Sequence, residues 1–383
     1  MSFFSPAPLP KSKLGFYRKL STAAGVHVSP IALGGGNIGN KWLDAGITGT
    51  NKDEAFKLLD AYHDLGGNFI DTANAYQDGE SEIFIGEWMK SRGIRDQIFV
   101  ATKYTNSPEI RDPNVAQKIQ FSGNSLKSMH VGIEGSLKRL NTSYIDLFYV
   151  HWWDFTTSIP ELMQALHGLV LARKVLYLGI SDAPAWVVTK ANQYARDHAL
   201  TQFSVYQGMW SILERSFERD IIPMARDEGI ALAPWAVLAG GKIRSDAEEE
   251  RRRQSGEKGR AHYGGAQWER TEDQIKVCRA LEKVAAEVGA KSIGAVAIAY
   301  VLHKTTFVFP IIGGRKVENL LENIEALDIA LTDEHLKFLD SIAPLDLGFP
   351  HNLIGNGFST AIFNNANGYP TYWPAAKPIS PAQ

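Results

Sequence analysis

The sequence predicts a (β/α)8 barrel. From residue 52 onward, short continuous apolar runs alternate with amphipathic runs at helical spacing, the pattern of buried parallel strands each followed by a covering helix. Counting the apolar run before residue 36 as the first, eight such units fall within about 300 residues, which favours a closed barrel over an open doubly wound sheet.

The elements follow in order. Residues 1–15 form an N-terminal tail, and "FYRKLSTAAGVHVS" reads as a β-hairpin expected to plug the N-terminal face of the barrel. The barrel strands are "PIALGG", "NFIDTA", "IFVATK", "YIDLFYVH", "VLYLGIS", "FSVYQ", "IALAPW" and "FVFPIIGG". Between them, runs such as "NKDEAFKLLDAYHDLG" and "SIPELMQALHGLVLARK" carry helical periodicity. The barrel is expected to span residues 16–343. Residues 239–270 form a long insert whose mixed-charge run "DAEEERRRQSGEKGR" is expected as a mobile surface loop. Residues 344–383, rich in aromatics, Gly, Pro and Asn, are expected as an extension packed on the barrel or on a neighbour.

Composition narrows the class. The chain has 383 residues, 44% of them hydrophobic, and a net charge of −2, so nothing in it favours a nucleic-acid or membrane surface. A single cysteine, Cys278, excludes an internal disulfide framework and a cysteine metal cluster, and fits a reducing compartment. The first fifteen residues lack an apolar core of signal-peptide length, so a cytoplasmic location is expected.

One motif points elsewhere. Gly34-x-Gly36-x-x-Gly39 has the letters of a Rossmann dinucleotide-binding turn. Such a turn must open directly into a helix and meet an acidic residue about 20 positions on. Here the glycines run into the polar stretch "KWLDAGITGTNKDE", so a glycine-rich turn at a strand end is the better reading.

In a parallel barrel, chemistry collects at the C-terminal ends of the strands. Those ends carry Gly36 and Asn37, then Asp71 with Tyr76 in the loop beyond, Lys103, His151, Ser181 with Asp182, Gln207, Trp235, and Gly313 before Arg315. Taken singly each has a structural explanation, and with no Cys and no second His at helical spacing no metal is expected. Taken together they form a carbonyl-protonating machine. A phenol titrates near 10. A lysine ammonium beside it favours the phenolate and is expected to lower that value, while a carboxylate keeps the lysine charged. A histidine orients the same substrate oxygen. The missing partner is a hydride donor, for which Trp235 offers a flat face and Ser181 and Gln207 offer hydrogen bonds to a nicotinamide carboxamide.

The motifs "NFIDTANAYQDGESE", "IFVATK", "SLKRLNTSYIDLFYVHWWD", "LGISD" and "GGRKVENLLENIEAL" resemble those of the aldo-keto reductases. The spacings, 5 from Asp71 to Tyr76, 27 on to Lys103 and 48 on to His151, match the family within small loop changes. The resemblance implies Tyr76 as general acid, Lys103 and Asp71 as its tuning pair, and His151 as the orienting residue. It implies NADP(H) lying extended across the strand ends. Gly36, Asn37, Asp71, Ser181, Asp182, Gln207, Trp235, Leu238 and Gly313 would line its site. Arg315, Asn319, Glu322 and Asn323, with Lys316 adjacent, occupy the 2′-phosphate positions, which favours NADP over NAD. Lys242 and Arg260 in the insert are weaker candidates for its phosphates. Two departures stand out, Ser181-Asp182 where relatives carry Ser-Asn, and Trp235-Ala236-Val237-Leu238 where relatives carry Tyr-Ser-Pro-Leu.

Within the family, the N-terminal stretch, "APWAVLAGGKIRS" and the tail are most similar to the fungal aryl-alcohol dehydrogenase branch, which also holds norsolorinic acid reductases. That implies small aromatic aldehydes and alcohols as substrates, with polyketide ketones as an alternative. Ile38, Trp42, Tyr104 and Trp152 are the expected walls for a flat ring; Trp153 is equally explained by packing. A different class of relative binds NADPH as a regulatory channel subunit, and turnover with an aromatic aldehyde separates the two.

Overall fold

Side-chain alternation within each apolar run decides which residues enter the barrel and which face the helices. The computed structural model describes residues 5–256, 268–355, 364, 366–371 and 373–379. Strands β1 (Arg18–Lys19) and β2 (His27–Val28) pair antiparallel as the expected hairpin. The barrel strands are β3 (Ala32–Gly34), β4 (Phe69–Asp71), β5 (Phe99–Tyr104), β6 (Ile145–Val150), β7 (Val175–Ser181), β8 (Phe203–Met209), β9 (Ala231–Trp235) and β10 (Ile311–Ile312). They form one eight-stranded parallel sheet in the order β10-β3-β4-β5-β6-β7-β8-β9. The sheet closes just before β10, where Leu232 N donates to Phe307 O at 2.9 Å and Phe309 N to Leu232 O at 2.8 Å.

The interior is filled by one parity of residues. Phe69, Phe99, Ala101, Leu147, Tyr149, Val205, Ala233 and Phe309 form a single buried cluster. Phe69 meets Phe99 edge-on at 5.2 Å and Phe309 at 6.3 Å. The Tyr149 ring fits because residue 179 has no side chain; a Cβ there would stand 2.5 Å from it. Leu20, Ala24 and Val28 join the same cluster, so the hairpin closes the N-terminal end. Two positions further along each strand the same parity delivers Asp71, Lys103, His151, Gln207 and Trp235. The mouth of the barrel is therefore polar for the same geometric reason that its interior is apolar.

The covering helices begin at polar caps. Asn51 and Glu54 form a capping box before helix Lys52–Asp64, whose Ala55, Leu58, Leu59 and Tyr62 supply the buried face. Such a cap contributes about 1 kcal/mol. Thr271 and Gln274 do the same for helix Glu272–Val288. Among the described residues no single helix is long and apolar enough to cross a membrane.

One expectation needs correction. The charged run expected as a mobile loop contains helix Asp246–Ser255, capped by Ser245 and laced by the Glu248–Arg252 pair at 2.6 Å. It is anchored by buried Arg244, Glu249 and Arg270, with Arg270 donating to Asp246 at 2.7 Å and to Glu249. The remainder of that run, residues 257–267 with Arg260, lies outside the described residues. The C-terminal extension meets the barrel near its start, where His351 Nε2 stands 3.5 Å from Asp220 Oδ1. Arg215 donates to Ala343 O at 2.7 Å and Arg219 to Asp346 O at 3.0 Å, whereas Tyr369 and Trp373 are fully exposed.

Candidate active site

Lys103 is buried at the barrel mouth, and its three N–H donors are all assigned. Nζ donates to Asp71 Oδ1 at 2.6 Å, to Thr72 O at 2.8 Å and, over a longer 3.5 Å, to Tyr76 Oη. A buried ammonium with three acceptors is an ammonium held charged. Asp71 is satisfied on its other side, where Gln207 Nε2 donates to Oδ2 at 2.9 Å. Gln207 thus commits one amide N–H to Asp71.

Tyr76 comes from a loop rather than a strand, and the loop is braced. Gln77 and Asp78 adopt left-handed backbone, φ 53° and 54°, which is strained for residues with a side chain. The segment after β3 holds them there. Trp42 N donates to Gln77 Oε1 at 2.9 Å, Trp42 Nε1 to Asp78 Oδ1 at 2.8 Å, and Gln77 Nε2 to Gly36 O at 3.1 Å. Gly39, at φ +109°, lets that segment turn back. The "GGGNIGN" stretch therefore forms a short turn, Gly35–Asn37, clamped on the Tyr76 loop. No long helix follows it before Lys52, and the Rossmann reading fails on topology.

The electrostatics of the cluster are uneven. Burial works against the Lys103 charge, but Asp71 and Tyr76 more than compensate and hold its pKa above the usual value. For Tyr76 the expectation was a net lowering by Lys103. Burial instead pushes the phenol up, and the Lys103 charge offsets only part of that. His151 is pushed well below its usual value by burial and then by Lys103, so its imidazole is neutral at pH 7. Its ring meets the Tyr76 ring edge-on at 5.8 Å. Asp182, with left-handed φ 44°, accepts from Ser181 Oγ at 3.0 Å and from Trp235 Nε1 at 3.3 Å. Though the residue opens onto the cleft, desolvation by the surrounding barrel mouth pushes its carboxyl up to about 6.

These residues line a cavity of about 650 Å³ that continues across the strand ends. Gly36, Asn37, Asp71, Tyr76, His151, Asp182, Gln207, Trp235, Leu238, Gly313, Arg315, Lys316 and Asn319 are on its wall. An adjoining cavity of about 1000 Å³ shares Leu238, Gly313, Lys316 and Asn319 and adds Glu322 and Asn323. Helix Val317–Ile324 starts at Lys316 without a side-chain cap, so its first N–H groups and Arg315 present a site suited to phosphate. The shape and donors of the cleft fit an extended dinucleotide phosphate. Ser181 is buried behind Asp182.

Some expected residues are elsewhere. Ile38 is 1% exposed and Tyr104 is fully buried, so neither walls the cavity. Tyr104 follows inward-facing Lys103 and must face the helices; it stacks on Phe148 at 5.3 Å and donates to Asn124 O. Trp42 does line the cavity, while Trp152 stands behind Asn106, donating to its Oδ1 at 2.8 Å. Trp153 is core. Lys242 is tied to the carbonyl of Glu269 and is not on the cleft wall, where Glu248, Arg251 and Arg252 stand instead. Those three, and Asn106, escaped the sequence reading. Asn106 lies three positions past Lys103, in the loop beyond the strand end, where strand parity no longer sets the direction of a side chain.

Residues 30–344 match the Aldo/keto reductase family. The chain is 55% identical to the aryl-alcohol dehydrogenase [NADP(+)] of Phanerodontia chrysosporium, over the whole of both proteins. It is 49% identical to the aldo-keto reductase ausK of Aspergillus calidoustus, covering 93% of this chain and 89% of the other. It is also 49% identical to norsolorinic acid reductase B of Dothistroma septosporum, covering 88% and 84% respectively. By barrel, mouth geometry and similarity alike, the chain belongs to the aldo/keto reductase family.

Proposed function

We propose that the protein reduces aromatic aldehydes to aryl alcohols with NADPH, and runs the reverse oxidation, with Tyr76 as the general acid. The observation that carries this is the Lys103 ammonium, bonded to Asp71 at 2.6 Å and reaching Tyr76 Oη at 3.5 Å inside one closed mouth. When bound, NADPH supplies a hydride. The chain's own residues govern the proton. The raised phenol of Tyr76 stays protonated at neutral pH and is ready to give its proton to the carbonyl oxygen. Lys103 then sits beside the phenolate and stabilises it. Neutral His151 holds the carbonyl oxygen from a second direction. The uncapped helix start at Lys316, with Arg315, would take the adenosine 2′-phosphate. Trp42, edge-on to Tyr76 at 6.4 Å, offers an apolar wall for the ring of the aldehyde.

The relatives support this reading by their names, one as an NADP(+)-dependent aryl-alcohol dehydrogenase and one as a norsolorinic acid reductase. The latter favours aromatic polyketide ketones as a second substrate class. A panel of benzaldehydes and aryl ketones, each with NADPH and with NADH, decides between them. Turnover of aldehydes with NADPH is the expected result; tight cofactor binding with no turnover of any member would reject the enzyme reading.

A further inference from the structure

A chain of hydrogen bonds whose direction is forced ends on the His151 imidazole. Trp152 Nε1 donates to Asn106 Oδ1 at 2.8 Å. An indole N–H can only donate, so the amide atom it meets is the oxygen and the other end of the Asn106 amide is the NH2. That NH2 lies 3.2 Å from His151 Nδ1. An amide NH2 can only donate in turn, so Nδ1 must accept and carries no proton. In a neutral imidazole the proton then resides on Nε2, the ring nitrogen left for the cavity that His151 lines.

The backbone around this chain is built to hold it. Thr105 has φ 88°, a strained value for a β-branched residue. It is held there by Gly123 N donating to Thr105 O at 2.9 Å, and by Asn124 Nδ2 and His151 N each donating to Thr105 Oγ1 at 3.1 Å. Asn74 Nδ2 donates to Asn106 O at 2.7 Å, fixing the next peptide. Strain of this kind persists where the surroundings over-determine it. Here it sets Asn106 between Trp152 and His151.

We propose that Trp152 and Asn106 are positioning residues that select the Nε2–H tautomer of His151, so that the imidazole donates to the substrate carbonyl oxygen rather than competing for a proton. Trp152, expected as a substrate wall, acts through this chain instead. His151 is held neutral by burial and by the Lys103 charge, so tautomer choice, not protonation, decides whether it is a donor.

The inference rests on the reductase reading for its catalytic meaning, but its structural content is tested without substrate or cofactor. In full-length protein labelled with 15N-histidine, the long-range 15N–1H pattern distinguishes the tautomers. The His151 signals are assigned by their loss in His151→Gln. The wild type is expected as Nε2–H. Asn106→Asp places a carboxylate oxygen against Nδ1 and is expected to move the proton to Nδ1, leaving Nε2 without one. Trp152→Phe frees the amide to turn over and is expected to give a mixture. With an aldehyde substrate, Asn106→Asp should lower kcat by roughly a hundredfold, as loss of one positioned donor does, with KM for NADPH unchanged. A wild-type Nδ1–H tautomer would overturn the proposal, as would a folded Trp152→Phe protein whose His151 pattern is unaltered. A protein showing the expected tautomers but no turnover would reject the reductase reading alone.

Discussion

Lys103 Nζ stands 2.6 Å from Asp71 Oδ1 with neither side chain more than 3% exposed, so each charge depends on the other. Lys103→Met leaves the Asp71 carboxylate with only the Gln207 amide for support. Breaking a buried pair by removing one partner costs about 3–5 kcal/mol. The variant is therefore expected to unfold at markedly lower denaturant than wild type as well as to lose reductase activity. A denaturant midpoint within error of wild type would show that Asp71 is not a buried charge in need of its partner.

Tyr76→Phe removes the proposed proton donor and keeps the ring. NADPH affinity, measured by fluorescence quenching, should stay near wild type, while aldehyde reduction falls by roughly 10²–10⁴-fold. In the wild type the phenol is pushed above its ordinary value by burial, so reduction is expected to hold steady across neutral pH. Oxidation of an aryl alcohol needs the phenolate and should climb with pH up to the alkaline limit of stability. Near-normal reduction by Tyr76→Phe would require another proton source.

Arg315 lies at the cleft edge beside the uncapped helix start. Arg315→Ala should raise KM for NADPH by roughly ten- to hundredfold, the range of one charge-assisted hydrogen bond, and barely change KM for NADH. Equal effects on both cofactors would move the 2′-phosphate elsewhere.

Asp182 titrates near 6, and that raised value sets a sign. The folded state binds its proton more tightly than the unfolded chain. This contribution to stability is complete below the ordinary carboxyl range and is lost as pH rises through about 6. Above that pH the carboxylate faces the cleft, where it would favour a cationic nicotinamide held beside it. The ratio of NADPH to NADP+ affinity should therefore rise as pH falls from 7 to 5 in wild type and stay flat in Asp182→Asn. Parallel pH profiles for the two proteins would remove Asp182 from the nicotinamide site.

Strand parity made most of the mouth legible. Once the apolar runs are taken as strands, Asp71, Lys103, His151, Gln207 and Trp235 share the inward phase. The same rule, applied one residue further, would have turned Tyr104 toward the helices. What pattern could not carry was loop geometry. The Tyr76 turn depends on left-handed residues 77 and 78 braced from another loop, and Asn106 is placed by strain at Thr105. Nor does charge alternation tell a solvated loop from a helix. Three buried groups, Arg244, Glu249 and Arg270, made helix Asp246–Ser255 part of the cleft.

That anchoring is expected to bear on cofactor release. Helix Asp246–Ser255 presents Glu248, Arg251 and Arg252 to the cleft, and it is tied down through Arg270 and through Arg244, whose Nε donates to Glu249 at 3.2 Å. Arg270→Met keeps bulk but removes the donors to Glu249 and Asp246. The helix should then open more often, so NADPH dissociates faster, by roughly tenfold for each 1.4 kcal/mol of anchoring lost. The hydride step, read in a single turnover of preloaded protein, should be little changed because the Tyr76 cluster is untouched. Hydrogen exchange in residues 246–255 should rise in parallel. Faster exchange with an unchanged NADPH release rate would mean that the helix stands beside the cofactor without restraining it.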